Sequence, residues 1–299
     1  AGTLEDPVTA LSISSLGEAF VPVSREREIL GPSILGFDAR GRDYLELLAS
    51  VLPAKRFYEI TGHTLGNDFG LTKLMWIRQH QPELYDRTHW FLPWASFVAY
   101  MLGADSAVDY SLAQRLLALD VTACAWSGDV LGHAELTADK LPQPVPAATV
   151  IGTVADHVAE QLGLPAGVKI VAGCHDQCAT AVGCGAISDG QSACGMGTYL
   201  CATPVFTQRP SADAMMRLGL NTEYHAVSGK FVTLIYNQGG ALLRWYRDTF
   251  AACEHQRAAA DGRDVYDALL AEMPDQPSSI LVLPHFMVTG PPSYVSNSS

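Results

Sequence analysis

An apolar run, Val168 to Ala172, leads into Gly173-Cys174-His175-Asp176-Gln177-Cys178-Ala179-Thr180. A carboxylate beside a carboxamide, at the C-terminal end of a predicted strand and the mouth of a small-residue helix, is placed to act as a general base. Farther on, Gly195-Met196-Gly197-Thr198 forms a predicted turn with two glycines and a threonine. Backbone N–H groups and a hydroxyl in such a turn suit phosphate oxygens. Together the two features point to phosphoryl transfer onto a hydroxyl-bearing small molecule.

Each candidate has a plainer alternative. Asp176 could be a helix N-cap, a position that favours Asp. Gly197 and Thr198 could form an ordinary hairpin turn. Gly239 and Gly240, at the start of a later helix, could face a nucleotide or simply precede an N-terminus. Glu18 and Asp68 are candidates to hydrogen-bond sugar hydroxyls, although most surface carboxylates are only solvated. Gln177, next to the candidate base, is a further substrate contact, and Asp38 and Arg40 are weaker candidates. Cys174, His175 and Cys178 invite a metal, but they lack the Cys-x₂-Cys pairing of structural zinc sites and no second pair follows. Buried thiols are the expectation there, and no metal ligand is assigned. Trp90, Trp94 and Phe97 read as core rather than as a stacking platform for sugar.

The elements that must position these residues follow from periodicity. Val8 to Ser14 is a predicted strand, with Ala19 to Val23 as its hairpin partner. Helical spacing covers Asp43 to Leu52, Leu71 to His80 and Phe91 to Leu102. From Ala148 strand and helix alternate: Thr149–Thr153 as strand, Val154, Val158 and Leu162 on one helix face, Val168–Ala172 as buried strand, Gln177–Cys184 as helix. This is an α/β pattern. Gln191–Thr203 reads as two strands around the Gly-Thr turn, and Tyr224–Val227 with Phe231–Tyr236 as a hairpin. Leu242, Leu243, Tyr246 and Phe250 stripe the next helix. A domain junction and hinge are expected near Ile187–Gln191.

The chain has 299 residues, 48% hydrophobic and 17% charged, enough for about two domains with sizeable cores. Its net charge of −12 argues against nucleic-acid backbones and anionic membranes as main partners. A local glycine-rich site can still bind an anionic nucleotide. No apolar run is long enough to span a bilayer, and residues 1–6 lack the charge and apolar pattern of a signal peptide. Seven cysteines, four of them within 174–194, fit reduced, mostly buried thiols in a cytoplasm better than a disulfide framework. The chain begins just before a core-type strand and ends in a loop at 290–299, which reads as a fragment.

An ordered set of motifs resembles the FGGY carbohydrate kinases, which include glycerol kinase and xylulokinase. Val171 to Gln177 is similar to that family's Gly-Asp-Gln/Asn segment and Gly197-Thr198 to its second phosphate-binding turn. Gly239 to Asp248 resembles its glycine-led Trp-x-Arg-Asp helix, and Lys73 with Trp76 the Lys-x-x-Trp part of a signature, although Gly70 departs from it. Ser12 to Glu18 resembles its substrate-side strand and turn. The resemblance implies an actin-like, ribonuclease-H-like ATPase fold with two domains around a cleft. Residues 1–188 would be a partial substrate-side N-terminal domain and 189–299 a partial nucleotide-side C-terminal domain. It implies ATP and Mg²⁺, a sugar, ketose or polyol substrate, and Asp176 as base. Glu18, Asp68 and Gln177 would bind substrate, and Gly197, Thr198, Gly239 and Gly240 the nucleotide phosphates. The family's Asp-x-Gly-Thr phosphate and metal segment has no counterpart in this sequence. Gly36 and Asp68 stand where glycerol kinase places a Trp and a Tyr, so a wider, more polar pocket is expected, suited to a pentulose or hexulose. The rival readings are a catalytically silent sugar- or nucleotide-binding protein of the same fold, and a metal hydrolase using Cys174, His175 and Asp176. Association into a homodimer is left open.

Overall fold

The structure is a computed structural model that describes residues 5–197 and 199–281. Two compact units are present: Ala1–Ala193 with Thr203–Leu234, and Cys194–Ala202 with Ile235–Ser299. The chain therefore passes between them three times, and residues 203–234 fold with the first unit, which a linear reading does not anticipate.

The first unit opens with β1 (Ala10–Ser12) and β2 (Phe20–Val23), then α1 (Tyr44–Val51), α2 (Ala54–Thr61), α3 (Gly70–His80) and α4 (Pro82–Arg87). Next come β3 (Trp90–Pro93), α5 (Trp94–Leu102), β4 (Ala107–Asp109), α6 (Tyr110–Gln114), β5 (Leu119–Asp120), β6 (Ala125–Trp126) and α7 (Gly128–His133). They are followed by β7 (Gln143–Val145), β8 (Val150–Thr153), α8 (Asp156–Leu162), β9 (Lys169–Val171) and α9 (Asp176–Gly183). β1 runs parallel to β9, pairing Leu11 with Ile170, and β9 runs antiparallel to β8. Ile170 and Val168 bury against Ala99, Ile151 and Val154 beneath this sheet. A larger cluster around Phe20, Phe57, Leu71, Leu74, Ile77 and Phe91 packs the helices. α2 stops at Gly62, whose φ of 74° is the left-handed cap that glycine adopts without strain.

β10 (Ser192–Met196) and β11 (Tyr199–Phe206) follow, then α10 (Ala212–Arg217), β12 (Glu223–Tyr224) and β13 (Phe231–Val232). Within the first unit, Val205 of β11 pairs with Val232 of β13, and β13 pairs with β12. Within the second unit, Tyr199 to Ala202 pair antiparallel with β14 (Ile235–Gln238). α11 (Gly240–Phe250), α12 (Ala252–Ala260) and α13 (Val265–Ala271) complete it.

Four expectations are corrected. The strand at Phe20–Val23 pairs with Trp90–Pro93 and not with β1. The apolar stretch expected as a helix from Phe91 to Leu102 is a strand through Pro93 and a helix only from Trp94. Short apolar runs are ambiguous between strand and helix, and here Pro93 supplies the boundary. The strand expected over Phe231–Tyr236 divides into β13 and β14, which belong to different units. The thiols are also less buried than expected: all seven are free, but Cys184, Cys194 and Cys253 are exposed and only Cys174 and Cys178 are buried. Among the described residues no helix is long and apolar enough to cross a membrane.

Candidate active site

Because β1 and β9 are parallel, the segments that leave their C-terminal ends emerge side by side, the usual place for a site in an α/β sheet. Gly173 makes this close approach workable. A Cβ there would overlap the Ile13 carbonyl, so only glycine fits. Ser15 bridges His175, and the Asp176 N–H donates to the Ser15 carbonyl at 2.9 Å. The segment ending in Glu18 and the segment carrying Asp176 are thus neighbours. The His175 N–H donates to Ser111 Oγ at 2.9 Å, and that hydroxyl donates to buried Asp109 at 2.6 Å. Asp109 caps α6, and burial, partly opposed by its hydrogen bonds from Ser111 and Leu112, pushes its carboxyl up to about 6.

Asp176 is the first residue of α9, one past the N-cap residue His175, whose own side chain makes no capping hydrogen bond. The Asp176 carboxylate stands 44% exposed, with Oδ1 3.3 Å from His175 Nε2. Gln177 follows it in the first turn, half-buried.

Glu18 accepts a close hydrogen bond from Arg115 Nη2. Gly36 lies against it: a Cβ at Gly36 would come within 2.5 Å of the Asp68 carbonyl and 2.6 Å of Glu18 Cβ. Glu18, Gly36 and the Asp68 backbone therefore meet, whereas the Asp68 side chain is exposed. Asp38 pairs with Arg40 at 2.8 Å, and that hydrogen bond holds its carboxyl below the usual range. Lys73, fully buried nearby, has no hydrogen-bond partner for Nζ among the described residues. Burial lowers its ammonium to about 8, against the pull of Asp68 and Asp38.

The residues that tie these parts together carry no local signal in the sequence. Glu223, on β12, is fully buried. Its Oε1 accepts from His175 Nδ1 at 2.9 Å and its Oε2 accepts from Arg115 Nη1 at 3.1 Å. His63 Nε2 stands 3.8 Å from the same carboxylate. Burial alone would raise the Glu223 carboxyl, but His175 and Arg115 outweigh it and hold it at about 2. His63 is pushed down to about 4 by burial, which exceeds the attraction of Glu223. Cys178 Sγ lies 3.7 Å from Glu223 Oε1, and its thiol is raised well above the ordinary value by burial and by that carboxylate. Ligand atoms of His175, Cys178 and Glu223 fall within 4.8 Å of one another, so this trio is where the first unit could hold a metal ion. Arg115 already places a fixed positive charge on the same carboxylate, which opposes a second cation.

In the second unit Gly197, Gly239 and Gly240 come together. Gly240 N–H donates to the Gly197 carbonyl at 2.8 Å, and Gly197 N–H to the Tyr199 carbonyl at 3.0 Å. A Cβ on Gly239 would stand 2.8 Å from Leu200 Cγ and 3.1 Å from the Gly197 carbonyl. At this crossing, at the N-terminus of α11, Gly239 has no room for a Cβ, whereas one on Gly197 would meet only the Tyr199 carbonyl at 3.9 Å. Thr198 lies outside the described residues. Asp176, Gln177, Glu18 and Asp68 belong to the first unit and the three glycines to the second.

The sequence signature of the FGGY family of carbohydrate kinases, N-terminal domain, matches residues 2–183. An autoinducer-2 kinase of Escherichia coli (strain SMS-3-5 / SECEC) is 31% identical over 96% of this chain and 54% of its own length. A xylulose kinase of Bacillus subtilis (strain 168) is 26% identical over 83% of this chain and 49% of its own length. The crystal structure of xylulose kinase from Rhodospirillum rubrum superposes with a TM-score of 0.83 at 23% identity, over 95% of this chain and 57% of that one. The chain therefore spans about half the length of the curated relatives it matches, and its fold is that of these α/β, actin-like kinases.

Proposed function

From the premise that this chain belongs to the FGGY family of carbohydrate kinases, we propose that the whole protein transfers the γ-phosphoryl group of ATP to a hydroxyl of a small sugar, ketose or polyol. Asp176 takes the proton from the attacking hydroxyl. Glu18, Gln177 and Asp68 hydrogen-bond the sugar, and the backbone at Gly197, Thr198, Gly239 and Gly240 holds phosphate oxygens. Mg²⁺ accompanies the nucleotide and neutralises charge on its phosphates. One observation carries this reading. The Asp176 carboxylate is half-exposed, one residue past the N-cap of α9, at the C-terminal ends of two parallel strands and beside the segment that carries Glu18. A base must be reachable, and this one is. The reading of the second half rests on the glycines meeting at the N-terminus of α11, where the main chain lies bare of side chains and a helix end favours an anion.

Gly36 lies directly against Glu18 and the Asp68 carbonyl, so its missing side chain brings those segments together rather than widening the site, and the choice of a ketose rests on the relatives alone. Related kinases are named for xylulose and for autoinducer-2. The full-length protein, assayed with ATP and Mg²⁺ against D-xylulose, D-ribulose, D-fructose, xylitol, glycerol and autoinducer-2, is expected to form ADP with at least one ketose. Sugar binding without ADP formation would favour a catalytically silent member of the fold. ADP formation that survives Asp176→Asn unchanged would remove the base assignment.

A further inference from the structure

We propose that Glu223 is a positioning residue that ties the two halves of the sugar-side site together: Oε1 holds His175 against Asp176, and Oε2 holds Arg115 against Glu18. The proposal rests on the kinase reading for its consequences but not for its geometry.

Its first arm is a Glu–His–Asp chain. His175 Nδ1–H donates to Glu223 at 2.9 Å, which fixes the ring so that Nε2 faces Asp176 Oδ1 at 3.3 Å. The ring stands beside one Asp176 oxygen, and the other faces away from it, left for a substrate hydroxyl. The second arm is Glu–Arg–Glu. Arg115 bridges Glu223 and Glu18, and its guanidinium lies 4.8 Å over the Phe69 ring. A Cβ on Gly17 would collide with Cγ and Cβ of Arg115, so the aliphatic stem of the arginine is laid closely against the Glu18 segment. A planar, doubly anchored guanidinium aims Glu18 with little freedom.

Glu223 is itself held rigidly. Gln114 accepts from the Tyr224 N–H at 2.6 Å and donates to the Thr222 carbonyl at 2.9 Å, one residue either side. Thr222 N–H donates to the Gly62 carbonyl at 2.7 Å, pinning β12 to the end of α2. Two flanking clamps on a fully buried carboxylate are more than packing requires. They place one anion where it governs both the candidate base and the candidate sugar ligand.

The two arms predict separable defects. In the full-length protein, with whichever of the tested substrates the wild type turns over fastest, His175→Gln is expected to lower kcat on the order of tenfold or more with sugar KM nearly unchanged. Arg115→Lys is expected to raise sugar KM on the order of tenfold with kcat nearly unchanged. Glu223→Gln should show both defects, with KM for ATP held in all three. A His175 variant that alters sugar KM alone, or an Arg115 variant that alters kcat alone, overturns the assignment.

A second measurement needs no turnover. Nitrogen-15 NMR of the wild-type imidazoles should show His175 protonated at Nδ1 and slow to exchange, and Glu223→Asp, which keeps the negative charge, should retain that signature better than Glu223→Gln, whose amide can turn either its oxygen or its NH₂ to the ring. A His175 found with Nδ1 unprotonated in the wild type, or identical spectra in the two Glu223 variants, refutes the arrangement whatever the enzyme's substrate. If the wild type turns over none of the tested substrates while the NMR signature is present, the kinase reading fails and the positioning geometry stands. Should Glu223→Gln not fold, the split between His175→Gln and Arg115→Lys and the wild-type tautomer still decide the matter.

Discussion

The first unit builds its candidate site from charged side chains held by other charged side chains; the second builds its part from glycine backbone. In the first, Glu223, Arg115, His175 and Glu18 form one continuous set of ion pairs around Asp176. In the second, Gly197, Gly239 and Gly240 cross with no room for a Cβ at Gly239. The contrast matches the chemistry each would serve. A proton abstraction needs a base with a fixed direction and charge, and only side chains supply that. A phosphate needs several donors close to the main chain, and side chains would obstruct them. The first region should therefore fail when charge changes at constant volume, and the second when volume changes at constant charge.

The largest effect that would sharpen this contrast is on the base. Asp176→Asn keeps size and, since the carboxylate is half-exposed and not at the N-cap position of α9, should leave the helix and the fold intact. Turnover by the full-length protein is expected to fall by roughly 10²–10⁴-fold. Wild-type-like kcat would break the comparison at its centre.

Next in size is the response to acid. In the folded chain Glu223 titrates at about 2 against an ordinary 4.5. Between those values the unfolded chain takes up a proton that the folded chain refuses, so stability falls as pH drops from 4.5 to 2. The loss is about 3 kcal/mol. His63, lowered to about 4 by burial, removes stability as pH falls from 6.5 to 4. Asp109, raised to about 6 by burial, adds stability between 6 and 3.8, so those two contributions oppose each other. Denaturant unfolding should show a shallow slope down to pH 4.5 and a steep one below it. A Glu223→Gln protein that keeps the steep limb would show that the charge network is not its source.

A smaller pair of substitutions tests the volume side. Gly239→Ala, with Leu200 Cγ at 2.8 Å from the new methyl, is expected to raise KM for ATP on the order of tenfold and leave sugar KM alone. Gly36→Ala, which meets Glu18 and the Asp68 carbonyl, should do the reverse by a similar factor. Steady-state kinetics on both variants decides it, and a Gly239→Ala enzyme with normal ATP kinetics would argue that the crossing is only structural.

The smallest expected effect is none. Chelation with EDTA should leave the melting temperature unchanged, because Arg115 already satisfies the carboxylate that a metal at His175, Cys178 and Glu223 would need. Elemental analysis finding near one zinc per chain, lost together with stability, would turn the charge network into a metal centre.

Much of the frame was legible in the residues. The helices at Tyr44–Val51 and Gly70–His80 and the strand–helix run from Val150 to Gly183 follow from apolar spacing. Asp176 was visible because strand, glycine, acid and small-residue helix lie within one short stretch, where local order carries the meaning. Pairing was not legible. Propensity says that Phe20–Val23 is extended, but only packing chose Trp90–Pro93 as its neighbour over β1. The stripe on α11 was legible too, although Leu243 and Phe250 remain exposed in the second unit.

By itself, then, the sequence determined the α/β alternation, the kinase-like motif order and the candidate base, all of which depend on residues close in the chain. Tertiary structure alone decided what surrounds that base. Arg115 and Glu223 are 108 residues apart, and neither stands in a recognisable motif. A lone arginine and a lone glutamate look like solvated surface until folding buries them. Burial makes an unpaired charge costly, and only the folded chain brings the partners within hydrogen-bond reach.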